Sequence, residues 1–253
     1  MSGHSKWSTI KHKKGAADAK RSKVFTKVIR EITVAAKMGG EDANSNPRLR
    51  SAIVLAKSVN MPNDTMNKAI KKGVGGDKSQ NWENLNYEGY GPHNVAVIVE
   101  CLTDNKNRTI SSVRSIFSKN NGNIGSTNSV MYMFDRKGII EIAKDVIDEE
   151  TLTEYIIDAG ADDIDSSDEQ KYTIETTAGE LGAVHRYLEE KEVKMDSSGL
   201  DLIPQNRVEI DDVTKAAQVI KFIEALEDDD DVQNVYSNFD ITERSEERRV
   251  GKE

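Results

Sequence analysis

The sequence predicts an α+β protein with a helical, basic head and a mixed, acidic body. Charge is the first observation behind that reading. Residues 1–78 hold 17 Lys/Arg and 6 Asp/Glu, whereas residues 79–253 hold 18 and 38, so a surplus of +11 precedes a deficit of −20. The second is periodicity, which changes from helical spacing before Gly73 to alternating strand and helix segments after Ser79. At 253 residues the chain has room for two or three small domains with modest cores.

Residues 1–14 read as an arm without a periodic pattern, in which Lys6, Lys11, His12, Lys13 and Lys14 surround Trp7 and Ile10. A helix is expected over Ala16–Lys37, because Phe25, Val28, Ile29, Ile32, Ala35 and Ala36 recur at helical spacing. Its other side holds Lys20, Arg21, Lys23, Lys27 and Arg30, and Gly39-Gly40 ends it. Asn46-Pro47 starts a second helix as N-cap and first helical residue, with an apolar stripe of Leu49, Ile53, Ala56 and Val59. A third runs from Pro62 to Lys72, burying Met66, Ala69 and Ile70 and stopping at Gly73. None is stable alone, so the three should pack as one bundle. The polar, glycine-rich stretch Gly73–Ser79 then reads as a hinge.

Beyond it, strands are expected at Asn94–Leu102, Val130–Phe134, Ile139–Ala143, Asp163–Asp165, Lys171–Thr176, Val193–Ile203 and Val232–Asn238. Helices are expected at Lys106–Lys119, Glu149–Ala159, Glu180–Lys191 and Thr214–Leu226. The middle block is a full β-α-β-β-α-β unit, and the flanking pieces make a second one if the first is inserted within it. The expected fold is thus an N-terminal three-helix bundle followed by two nested ferredoxin-like (split βαββαβ) domains. The boundaries are 1–78 for the head, 79–135 plus 206–241 for the outer domain and 136–205 for the inserted one.

Several segments, MSGHSKW, IKHKKGAADAKRSKVFTKVIREI, AAKMGG, NPRLRSAI, NMPNDT and AIKKG, resemble the N-terminal domain of the YebC family. EGYGP, LTDNKNRT, VR-x-x-F and RKG resemble its second domain, and DVQNVYSN its terminal strand. The resemblance spans Met1 to Ile241. It implies a regulator of gene expression: family members carry the label of probable transcriptional regulatory proteins, mitochondrial relatives are translational activators, and bacterial members have been linked to the ribosome. The chain departs from the family pattern at Asn128, in the loop before VMYMF, where the family usually has Gly, so a different turn is expected there. Residues 242–253, TERSEERRVGKE, fit no family pattern and are expected to be a non-native or disordered tail.

Catalytic chemistry finds little support. Gly73–Ser79 has Asp77 where a phosphate-binding loop needs Gly, and it follows a helix rather than a strand. His4, His12, His93 and His185 lack paired ligand spacing, and the single Cys101 lies in an apolar strand, as a buried structural thiol would. The run Glu227–Asp231 lacks the spacing of a calcium loop and reads as a solvated turn. No enzyme activity, cofactor or metal is therefore expected. The lone cysteine, the absence of an apolar run of ~18 residues and the absence of an apolar leader favour a cytoplasmic protein without membrane contact.

Nucleic acid is the expected partner. The first 30 residues hold nine Lys/Arg and one acid, with Trp7 among them. Cations for the backbone and a flat ring for stacking suit RNA or single strands. Candidate binding residues are Lys6, Trp7, Lys11, His12, Lys13, Lys14, Lys20, Arg21, Lys23, Lys27, Arg30, Arg48 and Arg50. Lys106 and Arg108 join them from the loop Thr103–Thr109, where Thr103 or Asp104 is expected to cap the next helix. The resemblance implies a DNA-binding transcriptional regulator. The alternative is a ribosome-associated, rRNA-binding translation factor, with the acidic body meeting a ribosome or another protein.

Overall fold

The structure, a computed structural model, describes residues 18–75 and 82–241, with side chains in the first helix from residue 23 onward. The arm, the rest of the expected hinge and the expected tail lie outside the described residues. In chain order the elements are α1 (Asp18–Gly39), α2 (Pro47–Ser58), α3 (Asn63–Gly75), β1 (Glu83–Tyr90), β2 (Ala96–Thr103) and α4 (Lys106–Lys119). There follow β3 (Asn123–Ile124), β4 (Phe134–Ala143), α5 (Glu149–Ala159), β5 (Asp163–Asp165), β6 (Lys171–Thr177) and α6 (Leu181–Glu190). The last are β7 (Ser197–Pro204), β8 (Val208–Ile210), α7 (Val213–Glu227), β9 (Val232–Ser237) and β10 (Phe239–Ile241). The architecture is α+β, a helical region followed by β-sheet domains. Two compact units form, one from residues 18–75 and 136–202, the other from 82–135 and 203–241.

In the first unit, α1–α3 close around Val28, Ile32, Leu49, Ala52, Ala56, Met66 and Ala69. The α1–α2 corner depends on one side chain. Asn46, buried, accepts from the Leu49 amide (3.1 Å) as N-cap of α2, and its amide nitrogen donates to the carbonyls of Ala35 (2.8 Å) and Gly40 (2.9 Å). It thereby satisfies carbonyls at the end of α1 that the helix itself leaves open. The helix α3 does not stop at Gly73. A Cβ there would stand 2.3 Å from the Thr33 carbonyl oxygen, so the missing side chain is what lets α3 lie against α1. The same unit holds a sheet in the order β5-β6-β4-β7, over a core of Ile140, Ile142, Leu152, Ile156, Ile174, Val184 and Leu188.

The second unit holds a sheet in the order β3-β1-β2-β9, with a two-stranded parallel pair β8–β10. Val97, Val99 and Cys101 of β2 point at α4 and α7, where Phe117 meets Phe222 edge to face at 4.9 Å. The strand β1 was not expected from the sequence: ENLNYEGY is rich in Asn and Glu, which strands disfavour, and only Leu85 and Tyr87 mark its core face.

The stretch Val130–Phe134, expected as a strand, is instead a short 3-10 turn at Met131–Met133, and β4 begins only at Phe134. The reason is Glu88 of β1, a buried carboxylate. It accepts from the backbone amides of Asn128 (2.7 Å), Val130 (2.9 Å) and Met131 (2.8 Å), which takes those donors away from any ladder. Asn128 sits at φ 63°, the left-handed region that Gly, its counterpart in the family pattern, enters without penalty and Asn tolerates.

Candidate nucleic-acid interface

Lys6, Trp7, Lys11, His12, Lys13 and Lys14 lie outside the described residues, as do the side chains of Lys20 and Arg21. On α1, Lys23, Lys27 and Arg30 follow one another at four- and three-residue spacing, opposite the buried Val28, Ile32 and Ala35. Lys23 is exposed, while Lys27 and Arg30 are half-buried.

The two arginines of α2 are held by the protein itself. Arg48 makes a two-pronged ion pair with Glu31 of α1, its Nε 2.5 Å and its second nitrogen 2.9 Å from the carboxylate. Arg50 donates to the carbonyls of Ala43 (3.1 Å) and Asn44 (2.7 Å) in the α1–α2 turn. Both stabilise the corner that Asn46 caps. Sequence reasoning passed over Lys57, Lys71 and Lys72, which stand exposed on α2 and α3 without an ion pair among the described residues. The doublet Lys71-Lys72 follows the buried Ala69 at the C-terminal end of α3, and that placement was the available signal.

In the second unit Lys106 is exposed at the first turn of α4. The cap of α4 is Asn105, whose side chain accepts from the Arg108 amide (3.1 Å). Thr103, expected as a capping candidate, instead accepts from the Asn105 amide (2.9 Å). The Arg108 guanidinium grips the buried Asp231 carboxylate at 2.9 Å and also reaches Asp104 (3.0 Å). Its pKa is raised by the hydrogen bonds to Asp231 first and Asp104 second. Thr109 completes the cluster by donating to Asp231 (2.8 Å). The run Glu227–Asp231 is thus only partly a solvated turn. Asp231 anchors the start of α4, and Asp229 accepts from the Ser112 hydroxyl and, at 2.9 Å, from the Asp231 amide.

Cys101 is buried in β2. His93 meets Gln218 at 2.7 Å, while His185 meets Ser198 at 2.9 Å through one ring nitrogen and stands 3.4 Å from Glu189 through the other. Among the described residues no three His, Cys, Asp or Glu side chains gather as a metal-binding set, and no helix is long and apolar enough to cross a membrane.

Residues 5–76 match the family model described as the TACO1/YebC protein N-terminal domain, and residues 82–239 match that of the TACO1/YebC second and third domain. A probable transcriptional regulatory protein of Desulforapulum autotrophicum is 53% identical over 241 residues, covering 95% of this chain and 97% of its own length. One from Geobacter sulfurreducens, with the same description, is 52% identical over 98% of this chain and 99% of its own. The crystal structure of a conserved hypothetical protein from Aquifex aeolicus superposes with a TM-score of 0.80 at 45% identity, covering 89% of this chain and 93% of that one.

Proposed function

The chain belongs to the TACO1/YebC family, and we propose that it is a non-enzymatic, nucleic-acid-binding regulator of gene expression that binds through its N-terminal head. The observation that carries this reading is the segregation of charge, +11 before residue 79 and −20 after it. Lys and Arg on phosphates release condensed counterions, while an acidic body is kept off the same polyanion. That the relatives are probable transcriptional regulatory proteins favours a transcriptional regulator, which would bind DNA. The architecture we propose is a pair of ferredoxin-like domains, one inserted in the other. In support, β5-β6-β4-β7 is the second-third-first-fourth order of such a unit, and β3-β1-β2-β9 matches it spatially when β1, first in the chain, takes the place of the third strand.

A specific observation favours the second reading, an rRNA-binding translation factor. Arginine is the residue that reads guanine edges through two parallel hydrogen bonds, yet Arg48 and Arg50 are both occupied internally. The exposed Lys57, Lys71 and Lys72 suit phosphates, which carry no base information.

Crosslinking in cells followed by separation of ribosomes from chromosomal DNA distinguishes the two readings. Recovery of a reproducible DNA footprint without ribosomes would retire the translation reading, and recovery with ribosomal RNA alone would retire the transcriptional one. In vitro, replacing Lys11, Lys13 and Lys14 with Ala together should weaken every nucleic acid alike and reduce the log–log salt slope by about 2 to 3. A slope near zero for the intact protein would defeat the electrostatic picture.

A further inference from the structure

The acidic body contains a stretch of opposite character. Residues 105–134 hold Lys106, Arg108, Arg114 and Lys119 and no Asp or Glu, inside a body with 38 acids. Arg108 is taken up by Asp231, but Lys106, Arg114 and Lys119 are exposed without an ion pair among the described residues. This stretch ends in the loop that Glu88 holds.

That loop presents an aromatic ring to solvent. Tyr132 is 68% exposed, and Tyr90 at the end of β1 is 36% exposed. The two phenols are neighbours: the Tyr90 hydroxyl is pushed up in pKa first by burial and then by Tyr132. Tyr90 belongs to the sheet face turned away from α4 and α7. Along β1, Leu85 and Tyr87 pack on the helix-side core, so Glu88 and Tyr90 point the other way. Ile124 also packs on the helix side, which leaves Asn123, paired across from Tyr90, on the Tyr90 face. Most of that face is closed, since Ala96, Ile98 and Leu102 are fully buried and Glu100 accepts from Tyr236 and Asn234. The face is open along β1 at Asn84 and Asn86 and at the corner of Tyr90, Asn123 and Tyr132. The turn after Lys119 joins that corner, because Gly122 abuts the Tyr90 carbonyl so closely that a Cβ would stand 2.9 Å from its oxygen.

An exposed ring on a loop is ordinarily mobile, and ordering it on binding lowers affinity. Here three hydrogen bonds to one buried carboxylate fix the backbone that leads into the ring's turn before any ligand arrives. A fixed flat ring, an amide side chain and an unpaired lysine are what a stacked base and its phosphate require.

We propose that Tyr132 and Tyr90, with Asn123 and the Lys119 turn, form a second nucleic-acid contact that stacks an unpaired base of single-stranded RNA. This contact rests on the nucleic-acid reading above and adds its chemistry, since a base paired inside a duplex offers no free face to the ring. The run 105–134, with four cations and no acid, favours RNA over a protein partner.

The test uses the full-length protein with an unstructured, uridine-rich RNA and with a duplex RNA of equal length. Tyr132→Ala should weaken the single strand about 5- to 150-fold and leave the duplex unchanged, whereas Tyr132→Phe should keep wild-type affinity. Lys119→Ala should lower the salt slope on the single strand by about 0.7. Zero-length ultraviolet crosslinking of the wild type should label the peptide containing Tyr132. Unchanged single-strand affinity in Tyr132→Ala, or equal loss on both RNAs, overturns the stacking contact while leaving head binding intact. Unchanged RNA affinity with loss of a copurifying protein overturns it in favour of a protein interface. Failure of the wild type to bind either RNA or a DNA duplex removes both this contact and the nucleic-acid reading.

Discussion

Glu88→Gln isolates what the buried carboxylate does. In the wild type one oxygen accepts from the Asn128 amide and the other from those of Val130 and Met131, at 2.7 to 2.9 Å. Glutamine keeps the shape and one oxygen but replaces the other with a donor. In its better rotamer it retains the Val130 and Met131 bonds and turns its NH2 toward the Asn128 N–H. One charge-assisted bond is lost, about 1.5–3 kcal/mol, and a buried donor is left facing a donor, about 1–3 kcal/mol more. The lower end of that sum, about 2.5 kcal/mol, is on the order of a hundredfold in an opening equilibrium.

Because the loop can open without the sheet, the effect should be local. Hydrogen exchange read by mass spectrometry should show peptides covering 126–133 exchanging about a hundredfold faster, with β2 peptides unchanged. Tyr132 would then lose its fixed presentation, so single-strand affinity should fall in Glu88→Gln without any change at the ring itself. Equal protection of 126–133 in the two proteins would refute the account of Glu88 as the loop's anchor.

Asn46→Asp keeps an equally good cap for α2 but sets carboxylate oxygen against the carbonyls of Ala35 and Gly40, so it should destabilise the head by about 1–3 kcal/mol in urea unfolding. Wild-type stability would show that the two amide donors contribute nothing. Gly73→Ala should lower the melting temperature of the helical signal, because its Cβ would meet the Thr33 carbonyl and the Ala36 methyl. Gly75→Ala, with nothing within 4 Å, should be neutral or slightly stabilising.

The head was legible because its signals are local. Asn46-Pro47 announces a helix start through one side chain and one fixed φ, and the stripes of α1 and α2 fall on the observed core. The strands of residues 136–205 were legible for a similar reason, since Ile139–Ala143 and Lys171–Thr176 alternate against a single core. What escaped was set by partners far along the chain. Gly73 reads as a stop because its contact with Thr33 is 40 positions away, and β1 shows no strand signal because its strongest feature is a buried glutamate. The apolar run VMYMF looked like a strand, and only the three amides gathered by Glu88 explain why it turns. Among the candidate site residues, Arg48, Arg50 and Arg108 are held by Glu31, two backbone carbonyls and Asp231, partners that sequence spacing does not reveal.

That redistribution of arginines bears on what the protein can recognise. Arginine delivers paired, directional hydrogen bonds, whereas lysine is a mobile point charge. With Arg48 and Arg50 bracing the α1–α2 corner, the described part of the head offers Lys57, Lys71 and Lys72 as its exposed, unpaired cations. A lysine surface attracts any phosphate backbone and distinguishes poorly among sequences. On the proposed reading, selectivity must then come from elsewhere, either from the shape of the nucleic acid or from a contact that only some conformations satisfy. The Tyr132 corner is such a contact, because stacking demands a base that is out of its helix. A head that holds phosphates without regard to sequence and a body that accepts an extruded base would together favour looped RNA over duplex DNA. The physical case for the translation reading rests on that combination. It stands only if Tyr132→Ala discriminates single strand from duplex while the triple lysine substitution in the arm does not.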